Sequence, residues 1–190
     1  MPVVSRRSRL PLAAGLAWLV LAVPAWAQVQ RLSLSTAGVQ ADGGGDQPAI
    51  DHSGRVVAFR SFSTNLVGDD TNGASDIFVR DRDADADGVL DEPGAVVTTR
   101  VSVASGGAQA NAGSEQPALG ADGRFVVFVS AATNLLTPPD TVVGSIIARQ
   151  IYRHDRVTGE TRLVSRGVTQ AAADGDCTSP SVSRDGRYVV

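Results

Sequence analysis

Carboxylates at alternate positions are the feature of this sequence best suited to chemistry. Asp83, Asp85 and Asp87 are followed at once by a glycine, and Val89 and Asp91 come next. Alternating carboxylates before a glycine let a chain wrap around one hard cation, and Ca²⁺ takes six to eight oxygen ligands. We therefore predict a calcium loop in which the four aspartates supply side-chain oxygens and Val89 supplies its carbonyl oxygen.

The loop departs from the high-affinity calcium pattern at its end. Gly94 stands where a bidentate glutamate normally completes the coordination, although Glu92 or Asp81 could substitute for that ligand. The alternative is a solvated acidic hairpin tip that only keeps a sheet edge soluble. Both interpretations stay open from the residues alone.

A second and weaker candidate for cation binding lies upstream. Asp70, Asn72 and Asp76 are spaced so that each could offer an oxygen to one cation. Asn72 is followed by a glycine, however, and Asn-Gly is equally typical of a turn that leads into a strand.

Support for an enzyme is thin in these residues. Neither His52 nor His154 has a metal-binding or catalytic partner at a suitable spacing, so we expect both to be surface loop residues. Cys177 is the only cysteine, and no G-x-S-x-G motif of a serine hydrolase occurs. We predict no catalytic residues and no cofactor other than calcium.

The chain that carries these candidate sites repeats itself. Residues 31–66 align without a gap with residues 100–135, and 17 of the 36 aligned positions are identical. The identical positions include Gln-Pro-Ala at residues 47–49 and Thr-Asn-Leu at residues 64–66. A third copy begins near Leu163, so the repeats run over about 31–99, 100–162 and 163–190, the last one truncated.

Each repeat has the pattern of four short strands. In the first repeat they fall at residues 48–50, 55–61, 76–81 and 96–103, and Ser53-Gly54 and its counterparts predict two-residue primed hairpin turns. No convincing helical periodicity occurs after residue 27. We predict an all-β chain that forms an incomplete β-propeller, with about two and a half four-stranded antiparallel blades. The alternative is a β-sandwich, which gives no reason for an ungapped repeat.

These motifs resemble a known family. Proline, then Asp-Gly-Arg at residues 122–124, Val-Val-Phe at 126–128, and the stretches at 76–81 and 98–102 are similar to the TolB-type, WD40-like (Pro-Asp type) propeller repeat of exported bacterial proteins. The likeness covers about residues 30–190. The resemblance implies an interaction platform in the periplasm or outside the cell, and it implies no shared catalytic residues.

The first 27 residues have the layout of a secretory signal peptide. Three arginines precede an apolar stretch over residues 10–23, and Ala25-Trp26-Ala27 offers small residues at the cleavage positions. The apolar run is shorter than a membrane span requires. We predict cleavage after Ala27, a periplasmic or secreted protein over residues 28–190, and no transmembrane span after cleavage. The export route, general or twin-arginine, stays open.

Charge and repeat architecture together narrow the function. All 17 basic residues are arginine, they face 20 acidic residues, and no basic stripe with interleaved aromatics occurs, so we predict no nucleic-acid binding. We predict an exported, non-enzymatic scaffold that binds a protein, glycan or cell-envelope partner. One alternative is the propeller part of a larger secreted enzyme, such as a hydrolase, and another is a calcium-dependent surface or adhesive module. Because closed propellers have about four to eight blades, we expect these residues to be a fragment of a longer propeller.

Overall fold

The computed structural model describes residues 29–137, 146 and 148–190, and this part of the chain consists of strands, turns and loops without a helix. Residues 31–190 form one compact unit. The predicted signal peptide over residues 1–27 lies outside the described residues. A search of the described residues finds no helix with the length and apolar character needed to cross a membrane.

The strands form two separate four-stranded sheets. In each sheet, sequential strands are hydrogen-bonded neighbours and every pair is antiparallel. Blade 1 contains β1 (Asp46–Ile50), β2 (Val56–Ser61), β3 (Asp76–Asp81) and β4 (Val97–Arg100); blade 2 contains β5 (Ser114–Leu119), β6 (Phe125–Ser130), β7 (Gln150–Asp155) and β8 (Glu160–Leu163). The prediction of an all-β chain made of four-stranded antiparallel propeller blades is confirmed.

The core lies between the two blades. Side chains of a strand alternate between its two faces, and Val56 and Ala58 of β2 share one buried cluster with Val126 and Phe128 of β6. The opposite face of blade 1 buries Phe59 in a second cluster. Blade 1 therefore buries both faces, as stacking of blades requires.

The turns between the first two strands of each repeat differ from the prediction. The loop between β1 and β2 spans five residues, 51–55, and the N–H of Gly54 closes a turn on the carbonyl of Asp51 at 3.3 Å. Gly54 has a φ of 75°, whereas Ser53 is not among the positive-φ residues. The predicted two-residue primed turn is wrong, because this longer loop needs a single left-handed residue, which glycine supplies without steric cost.

The fourth strand is shorter than predicted. The strand β4 ends at Arg100 rather than at Val103, and Val103 forms an isolated bridge to Gln109. Residues 101–112 thus form a small hairpin that connects blade 1 to β5, and we call this segment the connector. Residues 31–41 form the equivalent hairpin before β1, with a bridge from Leu34 to Gln40.

Hydrogen bonds join each repeat to the next at the same point of the loop that follows its first strand. The N–H of His52 donates to the carbonyl of Ala121 at 3.1 Å, and the N–H of Ala121 donates to the carbonyl of Arg184 at 3.0 Å. Arg156 of blade 2 pairs with Asp81 of blade 1 at 2.9 Å. The blades are therefore tied together by polar contacts as well as by the shared core.

Candidate functional site

The acidic loop lies between β3 and β4 of blade 1. One carboxylate oxygen from each of Asp83, Asp85 and Asp87 lies within 4.8 Å of the others. Asp83 is buried, while the other two aspartates are exposed. The structure therefore brings together three of the predicted calcium ligands at a point where solvent can reach them.

The loop folds around the buried carboxylate. The carboxylate of Asp83 accepts hydrogen bonds from the N–H groups of Asp87 at 3.0 Å and Gly88 at 3.2 Å. The carboxylate of Asp87 accepts one from the N–H of Val89 at 2.9 Å. Gly88 has a φ of 93°, which lets the chain turn back here. Side-chain bonds to the backbone hold these carboxylates close together.

Asp91, a further predicted ligand, has a different partner. The Nε of Arg82 donates to its two carboxylate oxygens at 3.2 and 3.0 Å, and both side chains are mostly buried. The Arg82 guanidinium also donates to the carbonyl of Gly54 at 2.8 Å. The structure thus uses Asp91 to hold the acidic loop against the first hairpin of blade 1, not beside the other three aspartates.

The two substitutes for the missing glutamate also differ. The negative charge of Asp87, with a smaller effect from Asp85, raises the pKa of Glu92, so Glu92 lies close to the cluster. Asp81 instead pairs with Arg55 at 2.8 Å and with Arg156. Although burial alone raises the pKa of Asp81, these two arginines lower it overall. Asp81 is therefore engaged by arginines, and Glu92, although near Asp87, is not part of the cluster of oxygens within 4.8 Å.

The donor set fits a hard cation in part. Asp83, Asp85, Asp87 and Glu92 offer only oxygen, which Ca²⁺ prefers, and the remaining ligands of a six- to eight-coordinate ion come from carbonyls and water. A bound cation would remove the repulsion between the carboxylates, and this favours binding. The residues present fit calcium without Asp91.

Side-chain amides donate hydrogen bonds to the carboxylates of the second candidate set. The side-chain NH₂ of Asn72 donates to Asp76 at 3.0 Å, and the side-chain NH₂ of Gln109 donates to Asp70 at 2.9 Å. The hydroxyl of Ser102 donates to the other oxygen of Asp76. The structure brings Asp70, Asn72 and Asp76 together, but donors of the connector occupy their oxygens.

Blade 2 holds the segment that follows its fourth strand without a carboxylate. Gln150 stands at the position of Asp76, where it accepts a hydrogen bond from Ser165 at 2.6 Å and donates to the carbonyl of Ala173 at 2.9 Å. Burial raises the pKa of both Asp70 and Asp76. These residues therefore bind the connector to the third strand of their blade, which accounts for their positions without a metal ion.

The expectation for His154 is wrong. His154 lies on β7 with 6% of its surface exposed, and its Nδ1 is 2.8 Å from the hydroxyl of Thr161. Burial lowers the pKa of His154 to about 4. His154 lies on the same face of the strand as Gln150 and Tyr152, and this period of two could have identified it as buried. His52 is exposed, as expected.

Sequence reasoning did not single out two buried arginines of blade 1. Arg80 on β3 and Arg100 on β4 have 6% and 9% of their surfaces exposed. They stand at the positions that His154 and Leu163 occupy in blade 2. A comparison of the repeats position by position would have revealed that blade 1 places charge where blade 2 places neutral side chains.

Known proteins resemble this chain in structure. No protein-family model matches the chain, and a search of curated proteins finds no match. The crystal structure of TolB from Acinetobacter baumannii is similar over 77% of this chain and 37% of that chain, with 16% identity and a TM-score of 0.28. The chain therefore spans little more than a third of that TolB chain, and the propeller assignment rests on the strand order and the blade contacts described above.

Proposed function

We propose that these blades are the scaffold of an exported protein that binds a protein, glycan or cell-envelope partner and does not itself catalyse a reaction. The observation that carries the proposal is the repeated locking of one blade to the next, through His52 and Ala121 and then through Ala121 and Arg184. Rigid sheets of this kind hold loops in fixed positions, and binding residues concentrate on such loops.

Contacts within the loops support this proposal. The loop between β2 and β3 is held by Asp42, whose carboxylate accepts the N–H of Thr64 at 2.9 Å. In blade 2 the equivalent Asn111 accepts the N–H of Thr133 at 2.9 Å. The same contact in both repeats preorganises the first residues of each loop, which lowers the entropic cost of binding a partner there.

In-cell photo-crosslinking tests the scaffold proposal. We would place a photoreactive residue at Phe62, which is 57% exposed at the start of the β2–β3 loop of blade 1, and at the exposed Thr158 in the β7–β8 hairpin of blade 2 as a control on a different hairpin. We expect a discrete adduct from position 62 and none from position 158, in the fraction exported from the cell. Absence of an adduct at both positions, or retention of the chain in the cytoplasm, would contradict the proposal.

Calcium at the acidic loop is the second part of the proposal. The supporting observation is the approach of Asp83, Asp85 and Asp87 to within 4.8 Å, with Glu92 beside them. Bound Ca²⁺ would screen the four carboxylates from one another and stabilise this end of blade 1. Extracellular sites need only weak affinity, with a Kd of about 0.1 to 1 mM.

A calorimetric titration with Ca²⁺ and a thermal melt test this second part. At a calcium concentration of about ten times Kd, we expect the free energy of unfolding to rise by about 1.4 kcal/mol. Mg²⁺ is the control, because it demands a smaller octahedral site and dehydrates reluctantly. If Ca²⁺ neither binds nor raises the Tm, the loop is a solvated hairpin tip.

A further inference from the structure

A groove crosses the outer strand of blade 1 at Thr98. Its larger part has a volume of 560 Å³ and is lined by Thr98, by residues 35–37 of the hairpin before β1, and by residues 64–68 of the β2–β3 loop. Its smaller part, of 240 Å³, is lined by Asp69 and Arg100 among others. Because both parts share Val67 and Thr98, they form one continuous groove of the size that side chains and small ligands occupy.

The guanidinium of Arg100 lies in this groove with donors that lack partners. The side chain is 3% exposed, and neither its Nε nor its Nη1 makes a hydrogen bond. Nη1 lies 3.7 Å from a carboxylate oxygen of Asp70, which is ion-pair range but too long for a hydrogen bond. A buried donor without an acceptor costs about 1 to 3 kcal/mol, so an acceptor is expected here.

Arg80 adds a second positive charge beneath Thr98. Its Nη1 donates to the hydroxyl of Thr98 at 3.1 Å and to the carbonyls of Leu34 and Ser35 at 3.2 Å. Its Nε has no acceptor, and no carboxylate forms an ion pair with it among the described residues. The floor of the groove therefore carries a buried charge that the chain does not neutralise locally.

The fold does not require these charges. Blade 2 has Leu163 at the position of Arg100 and His154 at the position of Arg80. Leu163 packs into the core cluster. Arg100 faces the buried carboxylate of Asp70, whereas Arg80 has no carboxylate partner among the described residues, so the charge of Arg80 is the one that calls for an explanation beyond folding.

We propose that this groove binds a carboxylate of a protein partner, presented by an aspartate or glutamate side chain. The inference rests on the proposed scaffold function and names the chemistry of the partner. Asp69, whose side chain is 76% exposed, occupies Nη2 of Arg100 at 3.0 Å. Because the side chain of Asp69 is exposed, a partner carboxylate can displace it from Nη2.

A carboxylate fits the local charge better than the other anions that arginine binds. Guanidinium pairs with either carboxylate or phosphate through two parallel hydrogen bonds. A carboxylate that displaces Asp69 leaves the net charge of the groove unchanged. A doubly charged phosphate would add charge beside Asp70, which is 4% exposed and cannot move away.

Arginine side-chain NMR on the full chain tests the proposal. The probe is acetyl-Gly-Glu-Gly-amide, and its glutamine counterpart is the matched control. We expect the glutamate peptide to shift the Nε–H signal of Arg100 with a Kd of about 1 mM, and the glutamine peptide to bind at least about tenfold more weakly. Asp69→Asn removes the internal competitor and should tighten binding of the glutamate peptide severalfold.

Two variants separate binding from folding. Arg100→Leu copies the residue of blade 2 and should weaken binding at least about tenfold, and because it leaves the buried Asp70 without its partner it should also lower the Tm. If that variant fails to fold, Arg100→Lys keeps the charge but loses the two-pronged geometry, and it should also bind more weakly. Equal shifts with both peptides, or weaker binding by Asp69→Asn, would mean that water alone serves the free donors. Tighter binding of glucuronate or inorganic phosphate than of the glutamate peptide would overturn the assignment to a protein side chain.

Failure of this inference can be told apart from failure of the scaffold proposal. If the adduct from position 62 forms equally in the wild type and in Arg100→Leu, the carboxylate site is wrong and the scaffold proposal stands. If the glutamate peptide binds but no adduct forms in the wild type, the scaffold proposal is wrong.

Discussion

The side-chain oxygen of Gln47 accepts a hydrogen bond from the backbone N–H of Gln116, 2.7 Å away in the next blade. Gln116 in turn accepts one from the N–H of Ser179 in the third repeat at 2.6 Å. The three residues have φ values of 48°, 55° and 56°, in the left-handed region where residues other than glycine are strained. The strain is offset by a contact from each repeat to the next, which explains why Gln-Pro-Ala recurs.

Removing this contact should destabilise the protein. Gln47→Ala loses the hydrogen bond and keeps the left-handed strain, so we expect the free energy of unfolding to fall by about 1 kcal/mol. Gln47→Gly loses the same bond but relieves strain of about 1 to 2 kcal/mol, and it should be less destabilised than the alanine variant. Denaturant unfolding measures both. Equal stability of Gln47→Ala and the wild type would show that the bond contributes nothing.

The glycines of the hairpins after β1 and β5 should differ in their tolerance of alanine. Gly54 and Gly123 have φ values of 75° and 69°, so alanine is strained at both. A Cβ on Gly123 would lie 2.5 Å from a Cγ of Val56 in blade 1, whereas nothing approaches a Cβ on Gly54 within 3.9 Å. We expect a loss of about 1 to 2 kcal/mol for Gly54→Ala and about 3 kcal/mol or more for Gly123→Ala.

The comparison of the two variants contains its own control. Thermal unfolding should give a lower Tm for Gly123→Ala than for Gly54→Ala. If both lose the same stability, the strained φ alone explains why glycine recurs in the repeats, and close packing of the turn against the preceding blade does not contribute.

Local pattern was sufficient to predict the strands but not the contacts between blades. The alternation of Val57 and Phe59 and the ungapped repeat predicted the sheets. Each sequence repeat contains all four strands of one blade, and these strands pair with their neighbours in the sequence. The role of Gln47 could not be predicted, since its partner lies in the next blade and the bond depends on how two sheets stack. The turn at Gly54 was mispredicted because its loop length depends on where the strand pairing ends.

In the candidate site too, the sequence predicted the local cluster but not the contacts that depend on the packing of the chain. The alternation of aspartates predicted the cluster of Asp83, Asp85 and Asp87, since a tight turn brings alternate residues together. Asp91 also fitted that spacing, but its ion pair with Arg82 arises from the path of the whole insert. The charge on Arg100 gave no signal by itself, because the face on which a strand residue lies is decided by packing of the blades.

Acid should weaken the fold through His154. Burial lowers its pKa from the usual 6.5 to about 4 in the folded protein, so between these values the unfolded chain binds a proton that the folded chain does not. The free energy of unfolding therefore falls as the pH is lowered from 7 to 4. The contribution of this one residue is about 3 kcal/mol, and it is fully present only above pH 6.5.

His154→Gln isolates this effect, because glutamine can still hydrogen-bond to Thr161 but does not titrate. The raised pKa values of Asp70 and Asp76 act in the opposite direction with pH, yet they are present in both proteins. The free energy of unfolding of the wild type minus that of His154→Gln, measured by denaturant unfolding from pH 4 to pH 7, should decrease toward acid pH. A constant difference would contradict a buried neutral imidazole.

The aspartates of the acidic loop should separate calcium binding from folding. Asp85 is exposed and belongs to the oxygen cluster, whereas Asp91 pairs with Arg82. Asp85→Asn should therefore leave the Tm in chelator unchanged and abolish the rise in Tm that Ca²⁺ produces. Asp91→Asn breaks a charged hydrogen-bonded pair, so it should lower stability in chelator by about 2 kcal/mol and keep the increment from calcium.

Both variants remove one negative charge, so a general effect of charge would change their calcium responses equally. Melting each protein in chelator and in excess Ca²⁺ gives four Tm values, and the two differences between them decide the matter. A lost calcium increment in Asp91→Asn, with a retained one in Asp85→Asn, would mean that the ion binds at the Arg82 side of the loop. That outcome would overturn the cluster of Asp83, Asp85 and Asp87 as the binding site, since the ion would then have to compete with a guanidinium for the same oxygens.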